Sequence, residues 1–311
     1  FLSARVFTEL LLAAIAIVCL PRQFHVMVVE YQKENDLRYT RWLLPLYLGL
    51  FILLVFPIAQ AGSLFLSDSG LPEDSYVLML PHWGNQPIIH AFAVIGALSA
   101  ATGMVVVATV ALSIMISNEL IVPIWLRFSS RQKEQPSDLA NSLRIIRRLS
   151  IVSIIMLAWL LEGILNNSDN LAAIGLISFA ASAQLTPFII AALYWPKAHR
   201  RGVMAGLMGG LLMWFYCLLL PLLMPADSNF ITEGLFQLSW LKPYALFGLD
   251  GLDTLSHGVF WSLSVNTVIF IIVSKLSALT TLDARQANAF IQHQKNLFND
   301  DIKDSDPSGI E

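Results

Sequence analysis

Leu10-Leu11-Leu12-Ala13-Ala14-Ile15-Ala16-Ile17-Val18-Cys19-Leu20-Pro21-Arg22-Gln23-Phe24-His25-Val26 is the stretch that decides the fold. The apolar run from Leu10 to Leu20 is interrupted by Pro21, Arg22 and Gln23 before Phe24 to Val29 resume. Proline has no amide N–H and disfavours helix in the residue before it, so carbonyls near Ile17 and Val18 lose their partners. A helix break is the economical reading. In hydrocarbon, unpaired backbone survives only when buried in protein or lining a wet cavity, and broken helices of this kind build midplane binding sites in transporters.

The rest of the chain supports a bilayer as solvent. Hydrophobic residues make up 56% and charged residues 13%, against roughly half and a quarter in a soluble domain. A spanning helix needs about 20 mostly apolar residues. Seven such stretches occur, at about 6–30, 43–66, 87–121, 149–165, 171–195, 203–224 and 258–276. The fold class expected is therefore all-α: a polytopic membrane protein with seven transmembrane helices in a module covering 1–279, followed by a tail over 280–311.

Basic residues assign the sides, because juxtamembrane Lys and Arg are retained in the cytoplasm. One set of connections holds Lys33, Arg38 and Arg41, then Arg127, Arg131, Lys133, Arg144, Arg147 and Arg148, then Lys197, Arg200 and Arg201, and finally Lys275, Arg285, Lys295 and Lys303. The opposite connections, about 67–86, 166–170 and 225–257, contain Lys242 alone. Arg5 starts the first span and Arg22 sits at mid-membrane depth. Seven spans with the N-terminus outside and the C-terminus in the cytoplasm satisfy every loop. The chain opens on Phe1 without a signal-peptide n-region, and is expected to be a piece of a longer protein.

Within the spans, the third is long enough to require tilt or an extension beyond the bilayer. Its centre is rich in small residues from Gly96 to Gly103. Thr186-Pro187 predicts a kink in the fifth span, and Gly206, Gly209 and Gly210 predict close packing of the sixth. The segment 225–257, with Trp240 and Tyr244, is expected at the interface. Past Leu279 the composition turns polar, with a short helical pattern around Leu282 to Phe298 and an acidic end. Cys19 and Cys217 both lie in apolar spans, so neither a disulfide framework nor metal-ligand spacing is present.

The string Leu20-Pro21-Arg22-Gln23-Phe24-His25-Val26 resembles the Gly-Gln-Pro-His break in the sixth helix of the sodium:solute symporter family. It is closer still to the version in bacterial sensor histidine kinases that carry a symporter-like module at their N-terminus. Gly96-Ala97-Leu98-Ser99-Ala100-Ala101-Thr102-Gly103 falls where the family's eighth helix supplies sodium ligands. Ala205-Gly206-Leu207-Met208-Gly209-Gly210, after Lys197-Ala198-His199-Arg200-Arg201-Gly202, looks like the turn from the tenth to the eleventh helix. Leu246-Phe247-Gly248-Leu249-Asp250-Gly251-Leu252-Asp253 and His257-Gly258-Val259-Phe260-Trp261 are similar to the kinase-linked branch.

The resemblance implies a leucine-transporter fold of which this chain holds helices six to twelve: the second inverted repeat plus two extra helices. It implies a bacterial inner-membrane, multi-pass location, a small polar solute that is an amino acid, and a sodium ion. The partners implied are the lipid bilayer, an N-terminal transmembrane repeat outside this chain, and downstream kinase domains with a response regulator. The alternative is a stand-alone sodium:solute symporter fragment with no signalling role.

Ionisable groups at membrane depth are functional candidates because burying them there is costly. Arg22 and His25 qualify, and Gln23 joins them as a polar neighbour; the resemblance puts Gln23 and His25 on solute-binding positions. The competing reading is that these side chains satisfy the broken backbone and line a wet vestibule. For sodium, the family pattern places Ser99, Thr102 and Gly103 on three ligand positions, although Gly103 has no side-chain oxygen to offer. Ser99 and Thr102, at i and i+3, share a helix face; helix packing, or bonding of their hydroxyls to the preceding turn, is the competing reading. Glu9 and Glu162 are expected at span ends. Gln184, beside Ser182, is expected to face the bundle interior, and Asn266 to bond a neighbouring helix. His90 and His199 flank membrane surfaces without a special role. No phosphate loop, nucleophile-base pair or metal cluster is present to make this chain an enzyme. Its basic residues lie in short loops rather than on a face for nucleic acid.

Overall fold

The computed structural model describes residues 3–29, 34–129, 136–165, 171–224, 228–235, 238–249 and 251–278. The described residues are helical, with no strand among them. The main helices are α1 (Ala4–Cys19), α2 (Pro21–Phe24), α3 (Glu34–Phe65), α4 (Tyr76–Trp83), α5 (Pro87–Met115), α6 (Val122–Ser129) and α7 (Pro136–Leu165). After them come α8 (Leu171–Ala183), α9 (Thr186–Tyr194), α10 (Arg200–Trp214), α11 (Leu220–Leu223), α12 (Asn229–Thr232) and α13 (Thr254–Leu276).

Among the described residues five helical stretches are long and apolar enough to cross a membrane: Arg38–Phe65, Pro87–Ile124, Ala172–Tyr194, Arg200–Leu223 and Thr254–Leu276. A sixth arises if Ala4–Cys19 and Pro21–Val28 form one bent span. The remaining apolar stretch expected, 149–165, is helical as the end of α7. It follows directly on Arg144, Arg147 and Arg148. The chain is therefore a multi-pass helical membrane protein. The tail pattern at Leu282 to Phe298 lies outside the described residues.

At two places in the long helices a change of geometry accompanies a proline, whereas Pro45 and Pro57 lie inside α3 without interrupting it. Wide π-type turns occupy Ile116–Ile121 and Phe215–Leu219. Pro123 and Pro221 follow them, each four residues beyond a carbonyl inside the turn, at Glu119 and Cys217. A proline ring in a helix removes the donor for that carbonyl and clashes with it; a wider turn relieves both.

The chain forms two compact units, Phe1–Cys19 with Gly175–Glu311, and Leu20–Ile174. In the first, α10 lies along α13 with Gly202, Gly206 and Gly210 facing Ser274, Phe270 and Asn266. A Cβ at Gly202 would lie 2.0 Å from Ser274 Oγ, and one at Gly206 2.9 Å from the Asn266 carbonyl. Only glycine permits that approach, the small-residue packing expected where lipid removes the hydrophobic drive between helices. Cross-helix hydrogen bonds add to it: Thr8 Oγ1 donates to Ser256 Oγ at 2.9 Å, and Trp214 Nε1 to the Ile177 carbonyl at 2.9 Å. Asp253 caps α13 by accepting from the Ser256 amide. His199 caps α10 by accepting from the Arg201 amide.

In the second unit α3 exposes apolar side chains on every side from Leu43 to Phe56, and α5 packs on α7. Gly62 admits the Tyr76 ring, which would lie 2.2 Å from a Cβ there, joining α3 to α4.

Candidate functional site

The first break lies where proline chemistry puts it. α1 ends at Cys19, Leu20 has extended backbone (φ −68°, ψ 127°), and Pro21 opens α2, where its missing N–H costs nothing. The apolar helical segments Ala4–Cys19 and Pro21–Val28 flank the break. Beyond α2, His25–Val29 is again a π-type turn. Arg22, Gln23 and His25 are half-buried. α2 packs on α5, the helix that carries Ser99, Thr102 and Gly103.

Those three α5 residues share one helical turn and are exposed. The Thr102 hydroxyl donates to the Leu98 carbonyl at 2.7 Å, the bond to the preceding turn, which leaves its oxygen lone pairs available. The buried face of α5 lies farther along. Thr109 and Ser113, with Ser117 in the following π-type turn, are buried at i, i+4 and i+8. Thr109 and Ser113 bond back to the Val105 and Val110 carbonyls, while Ser117 Oγ is buried without a partner in the structure.

A second break, between α8 and α9, is deeper than the kink expected at Thr186-Pro187. α8 stops at Ala183, Gln184 and Leu185 form a turn, and Pro187 sits in the first turn of α9. A side-chain network fills it. Asn266 Nδ2 donates to the Gln184 carbonyl at 2.8 Å and to Gln184 Oε1 at 3.0 Å. Gln184 Nε2 donates in turn to the Ala180 carbonyl at 3.2 Å and to Ser262 Oγ at 3.0 Å, and Ser262 donates to the Val259 carbonyl. Gln184, Ser262 and Asn266 are each 0% exposed. Gly210 closes the pocket: a Cβ there would lie 2.3 Å from Gln184 Oε1. Asn266 Oδ1 is buried without a hydrogen-bond partner in the structure.

Cys19, the last residue of α1, reaches the start of α9: its Sγ lies 3.4 Å from Thr186 Oγ1. Beside Thr186 a cavity of about 410 Å³ is lined by Pro187, Tyr194, Thr267 and Phe270, almost wholly apolar. Elsewhere Glu9 pairs with Arg5 at 2.9 Å on α1, and Glu162 is exposed. Buried His257 accepts from the Leu246 amide at 3.0 Å. That bond holds a loop in which Phe247 takes the left-handed conformation (φ 55°) that side chains rarely adopt.

The network around Gln184 exceeds what its composition announced. Asn266 was expected to bond a neighbouring helix, but nothing local marks Gln184 as its partner. The sequence signals at this break are Thr186-Pro187 and the mid-span Gln184 expected to face the bundle interior. Among the described residues no group of three or more His, Cys, Asp or Glu side chains is placed to hold a metal ion. No protein-family model matches the chain, and neither a curated protein nor a solved structure matches it.

Proposed function

We propose that this chain is the transport and sensing module of a bacterial inner-membrane sensor histidine kinase. It would couple sodium to a small polar solute, most simply an amino acid, by alternating access. The observation that carries this reading is the break at Leu20-Pro21, with Arg22, Gln23 and His25 half-buried beside it. A break with polar side chains at membrane depth needs a wet or liganded surrounding, and a solute supplies one. In this reading Gln23 and His25 hydrogen-bond the solute, and Arg22 attracts an anionic group on it. Ser99 and Thr102 offer hydroxyl oxygens, and Gly103 its carbonyl, to a sodium ion. The seven-span, second-repeat architecture, with the C-terminus in the cytoplasm, completes the proposal.

The test is sodium-dependent amino-acid uptake by the full-length parent protein in proteoliposomes. Gln23→Ala and His25→Ala should weaken solute affinity, and Thr102→Val should weaken sodium dependence. Wild-type affinity in both break variants would leave those residues a backbone role only. A phosphorylatable kinase domain in the parent protein, responding to the solute, separates the sensor from a stand-alone sodium:solute symporter.

A further inference from the structure

The turn between α4 and α5 holds a pair of histidines that the transport reading does not use. His82 lies in the last turn of α4 and His90 in the first turn of α5, with ring centroids 5.3 Å apart and planes inclined by 52°. His90 Nδ1 lies 2.9 Å from the Leu78 carbonyl oxygen. A carbonyl only accepts, so Nδ1 carries the proton, and in the neutral ring the lone pair sits on Nε2. A backbone carbonyl on the far nitrogen is the arrangement that orients metal-bound histidines and raises their basicity.

From these contacts we propose that His82 and His90 chelate a borderline divalent transition ion such as Zn²⁺. The separation fits one shared ion. With a Zn–N bond of about 2.0–2.1 Å, each ring centroid would stand about 3.2 Å from the metal, and a tetrahedral angle would put the two centroids about 5.2 Å apart.

The turn is pre-set for this. The Gly84 amide donates to the Leu80 carbonyl at 2.9 Å, Asn85 to His82 at 3.1 Å and Gln86 to Pro81 at 2.9 Å. Asn85 itself turns the chain with φ 51°, a conformation asparagine tolerates. Pro87 starts α5 directly after. His82 is exposed and His90 half-buried, so an ion reaches the pair from solvent. With two protein ligands, water completes the coordination. The bound ion ties the end of α4 to the start of α5.

The experiment is calorimetric titration of Zn²⁺ into the full-length protein, purified in detergent without a polyhistidine tag. One ion per chain is expected, bound at least tenfold more weakly in either His82→Gln or His90→Gln. In the unmutated protein, Zn²⁺ should also protect both histidines from diethyl pyrocarbonate, read by mass spectrometry, a measurement independent of how the variants fold. Absence of binding, binding that survives in either variant, or modification of either histidine undiminished by Zn²⁺ overturns the proposal.

Discussion

The two helix breaks solve one problem in opposite ways. At Leu20-Pro21 the backbone opens beside Arg22, Gln23 and His25, which are half-buried and lie within a few residues of the proline. At Gln184-Leu185 the backbone opens into a sealed network, with Gln184, Ser262 and Asn266 each 0% exposed and Gly210 pressed against them. A break meant for a ligand keeps its polar groups within reach of water. A break meant to hold helices together spends them on its own carbonyls. On the proposed reading the first break governs solute affinity and the second governs stability.

Gly210→Val gives the largest expected effect. Its side chain would run into Gln184 Oε1 and the Asn266 Cβ, and overpacking of this kind costs up to about 3 kcal/mol. A thermal shift of the purified protein should fall accordingly; unchanged stability would mean that α10 and α13 are not packed as described. Next, Asn266→Leu removes both donors to Gln184 and leaves its carbonyl buried without a partner, a loss of about 1–3 kcal/mol. Solute affinity measured on the folded fraction should stay at the wild-type level.

The first break should behave in reverse. Gln23→Ala and His25→Ala are each expected to weaken solute binding about tenfold, about 1.4 kcal/mol, while leaving the melting temperature in place. If these variants melt early and bind normally, the contrast between the breaks collapses. The smallest effect belongs to Thr186→Val, which removes the contact to Cys19 Sγ. A polar contact between membrane helices averages about 0.6 kcal/mol, so a shift resolvable only in paired melts is the outcome to look for.

How much of this could be read beforehand varies with distance along the chain. Pro21 announces its own break because the missing donor and the steric clash act on the residues next to it. Pro187 announces only a kink, since the groups that turn it into a filled break come from far away: Ser262 and Asn266 stand 78 and 82 residues from Gln184. Hydroxyls on α5 show the same limit. Ser99 and Thr102 match a ligand spacing yet are exposed, whereas Thr109, Ser113 and Ser117 form the buried polar stripe. Spacing along one helix fixes which residues share a face, but not which face meets a neighbour. His90 likewise gave no sign of its pairing with His82, because the turn that brings them together depends on Asn85 adopting a positive φ.

By itself the sequence determined the solvent, the helical class and the position of the Leu20-Pro21 break, since apolar length and proline act locally and need no partner. Only the tertiary structure decided that α10 meets α13 along Gly202, Gly206 and Gly210, and that a buried glutamine and asparagine close the second break. Close approach and hydrogen-bond partnership are relations between distant residues, and they exist only once the helices are packed.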